Sequence, residues 1–121
     1  MFILFLDAVW QLWQQFPGAF EFSEGLLLFL ADCYYDARFG TFLYSTEKER
    51  VDCNAFARTV SVWTHVLAHA ADYTNPAYAP AADTSDAAAA APLDPVVSYA
   101  TLRLWPAFFL RYSTVPRPAA P

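Results

Sequence analysis

The chain has 121 residues, a usual length for one domain, yet 57% are hydrophobic, 18% aromatic and only 16% charged, against about 25% charged in ordinary soluble domains. Such a composition describes an interior cut from something larger, with faces that expect a neighbour. A net charge of −5 and seven singly scattered basic residues offer no patch for a nucleic-acid backbone or an anionic bilayer, which excludes nucleic acid as an expected partner.

At the N-terminus, Phe2, Leu6, Val9, Trp13 and Phe16 recur at helical spacing, and Phe5 and Leu12 widen the stripe. This predicts a helix with one broad buried face, ended by Pro17 and Gly18. The run "MFILFLDAVWQLW" is not patterned as a secretory leader: it lacks a basic start and a small-residue cleavage site, and Asp7 comes early. The longest uncharged stretches, Ala8–Phe20 and Thr59–Ala71, fall short of the about 20 apolar residues of a spanning helix. In "QFPGAFEFSEGLLLFL", Phe20 and Phe22 are expected to anchor a corner. Ser23 then caps a second helix, with Glu24 in its first turn, where the helix dipole favours a carboxylate. Its face reads Leu26, Leu27, Leu30, Cys33, Tyr34 and Ala37, with Arg38 and Gly40 as stop signals.

"TFLYSTEKERVDCNAFAR" reads as a connection: a short extended piece, then a charged segment with a brief helix. A third helix is predicted over "RTVSVWTHVLAHAADY", residues 58–73, with Val62, Val66, His69 and Tyr73 on one side and Val60, Trp63, Leu67 and Ala70 beside them. From Asn75 to Pro95 the Ala- and Pro-rich sequence reads as a flexible surface loop, with 79–95 its low-complexity part. A last helical pattern, 99–113, contains Pro106 and is expected to kink or restart at Trp105. Residues 116–121 read as a frayed tail. The fold class is therefore mainly α, about four helices with no complete sheet of their own.

Each candidate for chemistry has a plainer reading. Cys33 and Arg38, and again Cys53 and Arg58, sit five apart, one short of the Cys-x5-Arg spacing that flanks a phosphate-cradling loop. "CYYDAR" also lies in a predicted helix, without a glycine or serine to turn a loop and with Asp36 to repel phosphate. A small core hydrophobe is the better reading of Cys33. Two cysteines form no disulfide framework or zinc site, and free thiols suit a reducing cytosol. His65 and His69 are four apart with Asp72 beyond them, which is metal-ligand spacing, but valine follows His65 where a zinc protease has its glutamate. The pair reads as structural. "EKER" reads as a solvated face. Glu21 and Glu24 could approach each other, but no cleft or pKa-shifting partner for an acid–base pair is evident, and backbone capping is the expected role. No catalytic, cofactor-binding or metal-ligating residue is assigned.

The phrases "QFPGAFEFSEG", "FGTFL" before a charged segment, "TVSVW…YTNPAY" and "LRLW…FFLRY", in that order, resemble the region after the catalytic loop of myotubularin-type phosphoinositide phosphatases. The resemblance implies that residues 1–115 are the helical C-terminal portion of a cysteine-phosphatase-like α/β domain. It departs from the family pattern at Ser23 (asparagine is usual), at Pro106 and at Tyr112, where tryptophan is usual. The parent activity it implies is removal of the 3-phosphate from phosphatidylinositol 3-phosphate or 3,5-bisphosphate, with no cofactor. The chain is expected to start beyond the catalytic loop and to be inactive alone. The resemblance also implies a phosphoinositide membrane reached through the parent protein, homo- or hetero-oligomers with related proteins, and a cytoplasmic location, peripheral at endosomal or other cytosolic membrane faces. An inactive scaffold that binds an active phosphatase is the alternative reading, and an independently folding helical adaptor a third.

Overall fold

Helix α1 spans Phe2–Gln15 in the computed structural model, which describes residues 1–79 and 92–112. Its buried face is rotated from the expected one. Leu6 and Trp10 are buried, Phe2, Ile3, Val9 and Trp13 pack beside them, and Phe5 is 61% exposed. The rotation follows from a second neighbour: the indole of Trp105, far along the chain, stacks on Trp10 with centroids 6.0 Å apart. The helix ends at Phe16, just ahead of Pro17, which cannot supply the next backbone donor.

Helix α2 spans Glu24–Asp36 with extended Ser23 at its N-cap. The capping position is as expected but the mechanism differs. The Ser23 hydroxyl makes no cap bond, and its backbone N–H donates to the Tyr73 carbonyl at 2.8 Å. Leu27, Leu30, Ala31 and Cys33 are buried. The helix stops before Arg38 and Gly40: Ala37 takes the left-handed capping conformation (φ 49°) and returns its N–H to the Cys33 carbonyl. Gly40 instead opens a 3-10 turn, Gly40–Phe42, where the expected extended piece would begin. A Cβ there would lie 2.6 Å from Thr59 Cβ, so only glycine fits this crossing.

Helix α3 spans Glu47–Asp52, started by a full capping box between Thr46 and Glu49. The predicted third helix is broken into α4 (Ala55–Arg58), α5 (Val62–Ala68) and a 3-10 turn, Ala70–Tyr73. The break has local causes. Thr59 turns its hydroxyl back onto the Ala55 carbonyl at 2.6 Å, the Val60 carbonyl accepts from Gly40 N–H, and Ser61 caps α5 by accepting from Trp63 N–H. Val62 and Val66 are buried and Tyr73 packs on the core, but His69 is exposed and so are Val60, Trp63 and Leu67, against expectation.

Of the last predicted helix only α6, Pro106–Phe109, is helical, restarting with Trp105 as N-cap and proline at the first position. The residue before proline is held extended, which is why the helix does not continue back through Leu104. The core gathers Leu6 and Trp10 of α1, four residues of α2, Val62 and Val66 of α5, and Trp105. Among the described residues there is no strand, only an isolated antiparallel bridge between Phe22 and Thr74. No helix of the described residues is long and apolar enough to cross a membrane. Most of the expected 79–95 loop and the 116–121 tail lie outside the described residues.

Candidate functional site

The two glutamates of the corner have separate tasks. Glu21 is exposed, and its backbone carbonyl accepts the Asn75 N–H. Glu24 turns one oxygen, Oε1, to the indole N–H groups of Trp10 at 3.1 Å and Trp105 at 2.9 Å. A single carboxylate oxygen thus ties α1, α2 and the approach to α6 together. The expected backbone-capping role for Glu24 gives way to this link between side chains. Phe20 and Phe22 do meet in the corner, with centroids 5.3 Å apart.

Asn75, expected at the start of a flexible loop, is instead buried, with 5% of its surface exposed. Its Nδ2 donates to the Pro17 and Phe20 carbonyls at 2.8 and 2.9 Å, and its Oδ1 accepts from Ala77 N–H at 3.0 Å. Pro17 and Gly18 break the helix, and Asn75 then satisfies the carbonyls that the break leaves open. The composition of 75–95 places Asn75 only at the start of a loop and gives no signal for this role.

Cys33 lies wholly inside the core and Arg38 outside it, in an exposed ion pair with Asp36 at 2.9 Å. Burial pushes the Cys33 thiol above its ordinary range. Such a thiol is neither a nucleophile nor a partner for phosphate. Cys53, at the end of α3, is half-buried, and its side chain beside Tyr44 raises the Tyr44 hydroxyl above its ordinary range. On the native chain, iodoacetamide at pH 8 is expected to alkylate Cys53 at least about tenfold faster than Cys33, as read by peptide mass spectrometry. Equal rates would contradict the burial of Cys33.

His65 and His69 stack ring on ring, with centroids 4.3 Å apart. His69 Nδ1 donates to the His65 carbonyl, and His65 also stacks on Phe29. That arrangement occupies the faces of the rings in packing and turns one nitrogen to the backbone. Among the described residues, no three His, Cys, Asp or Glu side chains converge on a metal position.

Two concave surfaces of the described residues adjoin Arg50. One cleft of about 220 Å³ is bounded by Gly40, Thr41, Arg50, Phe56, Thr59 and Ser61. A second, shallower one of about 530 Å³ lies among Phe2, Tyr34, Phe42, Tyr44, Ser45 and Arg50. "EKER" is therefore not a wholly solvated face. Lys48 is, but Arg50 folds inward and donates from Nη2 to the Thr41 carbonyl at 3.1 Å, while its sealed Nε has no partner. Periodicity could not find this, because α3 is shorter than two turns.

The fold and these sites define a mainly helical module in which Cys33, His65 and His69 are held in packing and Glu24 in side-chain hydrogen bonds. A family model described as the myotubularin-like phosphatase domain matches residues 1–51. The chain is 37% identical over 121 residues to the phosphatidylinositol-3,5-bisphosphate 3-phosphatase MTMR2 of Gallus gallus, covering 100% of this chain and 20% of that protein. It is 38% identical over 113 residues to the myotubularin of Rattus norvegicus (93% of this chain, 18% of that protein). With a myotubularin-related protein 9-like protein of Bos taurus the identity is 42% over 122 residues (98% and 21%). Over its whole length or nearly so, the chain is similar to part of these myotubularin-type phosphatases. It spans about a fifth of the length of the curated relatives it matches.

Proposed function

We propose that these 121 residues form the helical support layer of a phosphoinositide 3-phosphatase domain and do not themselves catalyse. The observation that carries this reading is the alignment of the whole chain with a fifth of a protein named as a phosphatidylinositol-3,5-bisphosphate 3-phosphatase. The surface supports it: Leu4, Phe5, Val51, Phe56, Trp63 and Leu67 are each at least half exposed, as on a layer whose outer faces expect more protein. The parent reaction is attack of a thiolate on the 3-phosphate of the lipid, then hydrolysis of a cysteinyl-phosphate. Cys33 is sealed, and neither cysteine has arginine six positions on, so the chain supplies no nucleophile in a phosphate loop. The layer works at a cytosolic membrane face through the parent protein, which carries the lipid contact and any oligomer.

Two measurements test this. Purified chain incubated with soluble phosphatidylinositol 3,5-bisphosphate is expected to release no phosphate above the protein-free blank; release would sink the claim of inactivity. The aligned segment of the Gallus gallus relative, replaced by this chain, is expected to leave a soluble phosphatase within about tenfold of the parent rate. An insoluble or inactive chimaera would argue against the support role.

A further inference from the structure

Among the described residues, Arg50 is the one half-buried arginine or lysine without an acid beside it. Arg111 is half-buried too, but it pairs with Asp32 at 2.8 Å. Arg58 and Arg103 also lack an ion pair, yet both are exposed and solvated by water. The acids nearest to Arg50 in sequence are occupied elsewhere. Glu49 accepts from the Ser45 and Thr46 N–H groups, and Asp52 meets Lys48. The Arg50 guanidinium donates from Nη2 to the Thr41 carbonyl at 3.1 Å, its Nε is sealed without a partner, and it borders both clefts. A charge that has lost part of its water and gained no counter-charge is half of an ion pair. The other polar groups of the smaller cleft are already engaged. Thr59 donates to the Ala55 carbonyl, and Thr41 and Ser61 bond each other at 3.3 Å while accepting the Val62 and Trp63 N–H groups. A phosphate calls for several donors, and here one guanidinium remains. The flank is apolar: Phe56 at the cleft is 71% exposed, and Val60, Trp63 and Leu67 are each at least half exposed further along α4 and α5. One charged donor beside an apolar surface fits a single carboxylate carried among apolar side chains.

We propose that Arg50 and the exposed 56–67 face form a docking surface for the parent phosphatase domain outside these 121 residues, and that its partner group is an aspartate or glutamate set among apolar side chains. This partner rests on the support-layer reading above, whereas the unpaired charge stands without it. The carboxylate meets the edge of the guanidinium that Thr41 leaves free. Covering Phe56 and Trp63 at the same time closes the pair off from water, where its two charges offset each other's lost hydration. Elsewhere a net charge of −5 disfavours an acidic neighbour, so Arg50 sets the place and register of docking.

The test uses the chimaera of the Gallus gallus relative that carries this chain in place of its aligned segment. Arg50→Lys there puts a primary amine against the carboxylate. A water-soluble carbodiimide then joins the two as an amide, itself taking up the water lost and becoming a urea. Peptide mass spectrometry is expected to find position 50 joined to an aspartate or glutamate outside the 121 residues. The yield should be at least about tenfold above that from exposed Lys48 to outside carboxylates, because only the first pair is held in contact. No join from position 50, or joins only within the 121 residues, would overturn the proposal. Should Arg50→Lys fail to fold, footprinting of the unmodified proteins with hydroxyphenylglyoxal decides. Arg50 is expected to react at least about tenfold more slowly in the chimaera than in the isolated chain, since the docked pair is buried; equal rates overturn the proposal. An unmodified chimaera that is insoluble or inactive would sink the support layer and this partner with it. A sound chimaera without the join sinks the partner alone.

Discussion

Trp105→Ala is expected to lower the stability of the chain by about 3–5 kcal/mol, the range for emptying a buried aromatic site. The indole is completely buried, stacks on Trp10 and on Phe108, and donates to Glu24. Removing it opens a cavity between α1 and α6 and leaves the 92–112 segment anchored mainly by Gln11, Gln15 and the Asp32–Arg111 pair. Urea unfolding followed by circular dichroism measures the loss as a lower midpoint at an unchanged slope. Glu24→Leu separates the packing from the hydrogen bond. It keeps both indoles in place but strands two buried N–H donors, each at a cost of about 1–3 kcal/mol. Glu24→Gln retains an acceptor oxygen and is expected to lose less than Glu24→Leu. If Glu24→Leu were as stable as the unmodified chain, the shared carboxylate would be no structural link.

How far the sequence reveals this arrangement depends on the range of the interaction. Where the cause is local, it is legible. Pro17 and Gly18 end α1 and Pro106 restarts a helix at Trp105, both through backbone chemistry within a few residues, and α2 starts after Ser23 where its cap preference puts it. Where a distant residue decides, the reading fails in a specific direction. The α1 stripe is centred one position off because Trp105 claims the Trp10 side. The 58–73 helix breaks partly for local reasons, Thr59 bonding Ala55 and Ser61 bonding Trp63, and partly because distant Gly40 takes the Val60 carbonyl, although Val62, Val66 and Tyr73 do face the core. Glu24 and Asn75 were the least legible. Both are polar residues whose partners lie tens of positions away, and no spacing rule connects residue 24 to 105 or 75 to 17. Spacing alone carries no information on burial for the Cys and His candidates: Cys33 lies in the core and His65 stacks on His69.

The corner that joins α1 to α2 should depend on Asn75 more than on any residue within it. Asn75→Ala removes the donors to the Pro17 and Phe20 carbonyls and the acceptor for Ala77 N–H, all in a buried setting. A loss of about 2–4 kcal/mol is expected from the unpaired groups. Asn75→Asp is nearly the same shape and should be worse near neutral pH, because it turns a carboxylate oxygen toward two carbonyl oxygens. Its pH dependence carries the sign. Burial against those oxygens raises the folded-state pKa of the new acid above the about 3.9 of an unfolded aspartate. The folded state then binds more protons than the unfolded one, so the variant's stability falls as pH rises above about 4. Below that pH the protonated acid donates one hydrogen bond and recovers part of the loss. The difference in melting temperature between Asn75→Asp and Asn75→Ala, measured from pH 4 to 7, should widen steadily against the aspartate. A pH-independent difference would mean that the side chain at position 75 faces solvent and that the corner is held by its own residues alone.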